Sequence, residues 1–162
     1  MSTVKTELKT EMQMGKQADS PVVEKLNQLL INYQVHYQNL RLFHWNVKGP
    51  FFFVLHDKFE ELYREAAEKI DEIAERVLAL GGTPKGSLKN IVSNAHVESH
   101  EEIMEANKMV EAVVTANKIL IGNLNELLDA AGKTNDEGTT DIFTSYIQEL
   151  EKQNWMFKSY LQ

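Results

Sequence analysis

Five side chains in the first half of the chain, His44, His56, Glu60, Asp71 and Glu75, are of the types that bind a metal ion through nitrogen and oxygen. The sequence contains no cysteine, which excludes disulfides, thiolate metal sites and cysteine nucleophiles. Any metal is therefore held by His, Asp and Glu. Imidazole nitrogen and carboxylate oxygen together suit a divalent transition metal that keeps open positions for a further ligand. At about 100° per helical residue, with His56 at the origin, Glu60, Asp71 and Glu75 fall at roughly 40°, 60° and 100°. Four of the five ligand types thus share one narrow face. Phe59, Leu62, Ala66, Ile73 and Val77 cluster at roughly 240 to 300°, so the ligand face points away from this helix's own core, toward solvent or another chain.

The spacing along the helix decides between those two. His56 and Asp71 are 15 residues apart, about 22 Å along the axis, too far to share one ion with ligand bonds of ~2 Å. One chain supplies two half-sites. The pairs 56 and 75, and 60 and 71, have the same midpoint, so a two-fold axis there sets His56 opposite Glu75 and Glu60 opposite Asp71 of an antiparallel copy. Ala67 is small enough for close approach at that axis, and Arg64 is placed to neutralise an acid across it. A chain reversal at Gly49-Pro50 brings His44 level with His56. Taken singly, Glu60, Asp71 and Glu75 read as a solvated acidic face and His44 as a core histidine; the shared midpoint with two histidines at one level favours a site.

The elements that must position these residues are helical. Glycine and proline together make up only 11 of 162 residues, too few for the turns of a sandwich or barrel. Ser20-Pro21 caps and opens a first helix whose stripe runs from Val22 to Val47 and ends before Gly49-Pro50. Leu55 to Leu80 form the stripe of a second, stopped by Gly81-Gly82. Ser87 to Asn90 begin a short helix inside a long connection, and Ser99-His100-Glu101-Glu102 has the form of a capping box opening a third long helix that runs to Gly132. The last helix follows the polar stretch 134–140 and carries Ile142 to Leu161. The expected fold is all-α, a four-helix bundle over 20–162 with a short extra helix in the long connection, preceded by a mobile polar arm, 1–19. His36 lies off the His44 level, and His96 and His100 read as loop histidines rather than a helical metal pair. The longest apolar run, Phe51 to Leu55, is far short of the ~20 residues of a membrane span, and the N-terminus lacks the apolar core of a signal peptide, so a soluble, cytoplasmic protein is expected.

The stretch FHWNVKGPFFFVLHDKFEELY, followed by IDEIAERVLALGGTP and, at the end, QNWMFKSYLQ, resembles the Dps family of ferritin-like mini-ferritins, the DNA-protecting proteins of starved bacterial cells. The resemblance spans residues 20 to 162 and implies a homo-dodecameric shell that oxidises Fe(II), preferentially with hydrogen peroxide rather than dioxygen, and stores the ferric product. It carries His44, His56 and Glu60 over as ligands from one chain, with Asp71 and Glu75 from its two-fold mate. It matches Trp45 to a tryptophan that intercepts oxidising equivalents, and places Asp136, Glu137 and Asp141 at an acidic ion-entry channel. Glu60 stands where many members have Asp, and Arg41 and Gln153 where some have His. No Glu-x-x-His occurs, which disfavours a di-iron site within one chain. The alternatives are a DNA-compacting protein and a metal-free helical interaction module. The net charge of −7, and an arm whose Lys5, Lys9 and Lys16 are offset by Glu7, Glu11 and Asp19, predict weak or absent DNA binding.

Overall fold

The computed structural model describes residues 20–101 and 103–162; the polar arm 1–19, with Met12 and Met14, lies outside them. Among the described residues there are five helices and no strand: α1 (Pro21–Asn46), α2 (Phe52–Ala79), α3 (Leu88–Asn94), α4 (Ala106–Lys133) and α5 (Glu137–Tyr160). The bundle with a short helix in its long connection is therefore as the sequence predicts. None of these helices is long and apolar enough to cross a membrane.

Ser20 caps α1 by accepting from the Val23 amide, and Ser87 caps α3 by accepting from the Asn90 amide. Gly49 makes the α1–α2 reversal in the left-handed region at φ 111°, a conformation that costs glycine nothing. At the other end of α2, Gly82 packs so closely that an added Cβ would lie 2.6 Å from Val23 Cγ1. Side-chain pairs give the helix directions. Asn32 meets Asn123 and Lys25 meets Glu126, so α4 runs antiparallel to α1. Gln153 meets Glu65, Tyr146 meets Glu72 and Arg76 meets Asp136, so α5 runs antiparallel to α2. Consequently α2 and α4 are parallel, and the connection between them must travel the length of the bundle. The core is filled by Leu26, Leu29, Leu40, Phe43, Phe59, Ile73, Leu120, Leu124, Leu127 and Phe143, each fully buried and contributing roughly 1.5–3 kcal/mol.

Asparagines of α1 hold that connection. Asn27 Oδ1 accepts from the Lys85 amide at 2.8 Å while its Nδ2 donates to Thr83 O. Asn32 Oδ1 accepts from the amides of His96 and Val97 at 2.7 and 3.2 Å, and its Nδ2 donates to Asn123 Oδ1 at 2.6 Å. Asn39 Oδ1 accepts from the His100 amide and its Nδ2 donates to Glu98 O at 2.7 Å. This ladder corrects one expectation: α4 starts at Ala106, not at a Ser99 cap, because Asn39 claims the backbone on both sides of Ser99 and holds it against α1. Ile103, expected in the helical stripe, is exposed instead. The α4–α5 turn uses Asn135 at φ 54°, and α5 begins within the expected polar linker because Asp136 caps it by accepting from the Thr139 amide.

His36 is buried in the core of α1, and burial pushes its pKa down from 6.5 to about 4.

Two expectations follow. Asn32→Ala leaves two backbone amides and the Asn123 carbonyl without a partner, so chemical denaturation should show a loss of about 2–4 kcal/mol and hydrogen exchange should rise at 96 and 97; a loss under about 0.5 kcal/mol contradicts the ladder's role. For His36 the folded pKa is depressed, so between about 6.5 and about 4 the unfolded chain binds more protons and stability drains away as pH falls through that window, by up to ~3 kcal/mol per chain. His36→Leu should remove that share of the slope, and an identical pH profile in the variant contradicts it.

Candidate metal centre

The α1–α2 reversal brings the last turn of α1 against the first turns of α2, and there the two imidazoles stack, with ring centroids 3.9 Å apart and planes 20° from parallel. His44 Nδ1 lies 2.8 Å from the His56 carbonyl, and His56 Nδ1 lies 2.9 Å from the His44 carbonyl. Carbonyl oxygens only accept, so both Nδ1 atoms carry a proton and donate, which leaves Nε2 of each ring as the nitrogen open to a metal. The His44 carbonyl belongs to the last turn of α1, where no helical amide follows to bond it, and His56 satisfies it. The reciprocal pair thus sets the tautomer that a metal ligand needs, in the way a ligating histidine is commonly oriented through its other ring nitrogen. Phe52 stacks on the far face of His56 with centroids 5.0 Å apart, and Tyr63 sets its edge to His44 at 5.4 Å. Both aromatics restrict ring rotation, and neither is singled out by the sequence; Phe52, four residues before His56, lies at a helical spacing that places it beside that ring, whereas Tyr63 meets His44 only through the α1–α2 reversal.

Glu60, one turn on from His56, supplies the oxygen. A ligand atom from each of His44, His56 and Glu60 lies within 4.8 Å of the others, the one such group of three among the described residues. That span can be bridged by an ion, or an adjacent pair of ions, with bonds of ~2 Å. In the free chain Glu60 is neutralised by Arg64 of the same helix, which is largely exposed and free to swing aside when a cation arrives. Arg64 therefore serves an acid of its own chain here.

Asp71 and Glu75 stand on the same outward side of α2, both exposed, three to four turns further on and outside this group. Trp45 is 56% exposed, with the Arg41 guanidinium 4.8 Å from its ring centroid and 5.3 Å from that of Tyr37. Gln153 is engaged with Glu65. His96 and His100 lie in the connection, and His100 packs its ring on Phe43 at 5.6 Å. Of the three acids at the start of α5, Glu137 and Asp141 are exposed, whereas Asp136 is bound internally by Thr139 and, at 2.7 Å, by Arg76. Burial alone would raise the Asp136 pKa, but those hydrogen bonds and the guanidinium outweigh it and hold the carboxyl below its ordinary value.

Residues 23–162 match the family of the ferritin-like domain. The chain is similar to DNA protection during starvation protein 2 of Bacillus anthracis, 40% identical over 140 residues that cover 86% of this chain and 96% of that one. Among solved structures, Dps of Staphylococcus aureus superposes with a TM-score of 0.84 at 42% identity, covering 87% of this chain and 95% of that one. Dps of Vibrio cholerae, described as a member of a broad superfamily of ferritin-like diiron-carboxylate proteins, does so with a TM-score of 0.85 at 38% identity, covering 93% and 92%. Agreement of sequence, fold and near-complete coverage on both sides leads to one assignment: the chain belongs to the Dps family of ferritin-like proteins.

Proposed function

We propose that the protein is an iron-detoxifying and iron-storing ferroxidase whose centres are completed between chains. The observation that carries this reading is the His44–His56 pair: two imidazoles locked with their Nε2 lone pairs available, beside the Glu60 carboxylate, on a helix face turned away from the core. Fe(II) is the substrate. His44, His56 and Glu60 bind it from one chain, and Asp71 and Glu75 of a two-fold mate close the site with two further carboxylates. Two Fe(II) give up one electron each; hydrogen peroxide takes both electrons with two protons and leaves as two waters. Because both electrons are accepted at once, hydroxyl radical is not released; preference for peroxide over dioxygen is carried over from the family resemblance. Trp45, exposed and next in sequence to His44, is the residue that would intercept a stray oxidising equivalent, a role carried over from the family resemblance.

The shell reading has its own support. Phe51, Phe53, Val54, Leu78, Leu88, Val92 and Trp155 are all more than half exposed in the single chain and are open to be covered by neighbouring chains. A closed dodecamer of 18.6 kDa chains has a mass of about 223 kDa and buries such faces on symmetric neighbours. Glu137 and Asp141 remain free to line an ion-entry channel, with Asp136 set behind them as cap and Arg76 partner. Protection of DNA, which the relatives' names describe, then comes from removing Fe(II) and peroxide together, since a chain of net charge −7 has little affinity for a polyanion. These properties suit a cytoplasmic protein.

Replacing both histidines, His44→Ala with His56→Ala, should abolish fast peroxide-driven Fe(II) oxidation, by at least about 100-fold in single-turnover stopped flow, while circular dichroism and native mass stay unchanged. Oxidation at the parent rate in that variant contradicts the assignment of these ligands.

A further inference from the structure

Between α2 and α5 lies a polar cluster that the metal centre does not use. Lys69 is only 8% exposed, yet its ammonium sits between two carboxylates, 3.1 Å from Glu65 Oε1 and in a short ion pair with Glu149. The Tyr146 ring lies beneath it, 4.3 Å from centroid to nitrogen. Gln153 donates Nε2 to Glu65 at 3.3 Å and accepts from Asn117 at 3.3 Å. Beside Lys69 is a cavity of about 10 Å³ lined by Tyr33, His36, Glu65, Lys69 and Gln153. Tyr33 is 2% exposed, and its hydroxyl has no hydrogen-bond partner among the described residues.

A lysine is an expensive group to bury, and it stays charged only where opposite charges and hydrogen bonds offset the lost hydration. Burial alone would lower the Lys69 pKa, but the bond to Glu149 and the Glu65 carboxylate outweigh it and hold the pKa above the ordinary lysine value. His36, with its pKa near 4, is neutral at physiological pH and adds no competing charge. Two facing carboxylates from different helices, with the unpartnered Tyr33 hydroxyl on the adjoining cavity, form an oxygen donor set of the type that divalent cations take. Here its centre is filled by a side chain.

We propose that Lys69 is a resident cation that closes the bundle interior to divalent metal: its ammonium occupies the position between Glu65 and Glu149 that an ion would take. Metal is thereby confined to the outward face of α2. Glu65 is half-buried and Glu149 exposed, so an ion could reach this position from solvent were the ammonium absent. The inference does not depend on the chemistry at His44 and His56.

The test uses Co(II) as the probe in the full chain carrying His44→Ala and His56→Ala, so that the outward site does not contribute. Lys69→Ala and Lys69→Gln should each gain one Co(II) per chain over that parent by equilibrium dialysis, and Co(II) should raise their Tm but not the parent's. Lys69→Arg, which keeps the charge, should gain none, and adding Glu65→Gln to Lys69→Ala should abolish the gain. Neutral variants that fold only with Co(II) present also support the proposal, because the ion then does the work of the ammonium. Folded neutral variants that bind no more Co(II) than the parent overturn it, as do variants that stay unfolded in excess Co(II).

Discussion

In the His44–His56 pair each imidazole gives its Nδ1 proton to the other residue's carbonyl, and the hairpin of α1 and α2 is tied together by the same two bonds that prepare the rings for a metal. Those bonds satisfy the orphan carbonyl at the end of α1, fix which nitrogen keeps its lone pair, and hold the rings level across the Gly49 turn. The remainder of the structure follows from keeping this face outward. The apolar stripe of α2 is on the opposite side, so His56 and Glu60 are left half-buried at the surface, and in the proposed function the further carboxylates come from a second chain.

The polar interior serves that arrangement in two ways. Asn27, Asn32 and Asn39 tie a long connection to α1, which allows α2 and α4 to run parallel in a bundle whose neighbours are otherwise joined by short turns. Lys69, with Glu65 and Glu149, joins α2 to α5 by charge where the bundle interior would otherwise carry two facing carboxylates. A buried ammonium held by carboxylates of this kind is a weak source of net stability, but its charge is costly to leave unpaired, which favours specificity of packing over raw stability.

Much of this was legible before any coordinates. Ser20 and Ser87 announced their helices by type, the period of 3.6 separated the ligand face from the core stripe, and the reversal at Gly49-Pro50 was enough to set His44 level with His56. The start of α4 was not legible, because the local signal at Ser99 is a genuine cap pattern overridden by a tertiary bond from Asn39, 61 residues from His100. The asparagine ladder and Lys69 left fainter marks. Asn32 and Asn39 share a helix face two turns apart, and Lys69 occupies a stripe position between Ala66 and Ile73; a polar residue on an apolar stripe signals a buried partner, but only the fold says which. The proposed inter-chain half of the site is legible only as geometry, from the exposed Asp71 and Glu75, about 22 and about 28 Å along α2 from His56.

That inter-chain geometry is the central claim, and subunit mixing tests it most directly. A chain lacking His44 and His56 and a chain lacking Asp71 and Glu75 should each be inactive alone. Unfolded together in equal amounts and reassembled, half of the two-fold pairs are mixed, and each mixed pair holds one complete site and one stripped of all four ligands. Peroxide-driven Fe(II) oxidation should then return to about a quarter of the parent rate. Co-assembly confirmed by native mass with no return of activity contradicts the claim that two chains build one centre.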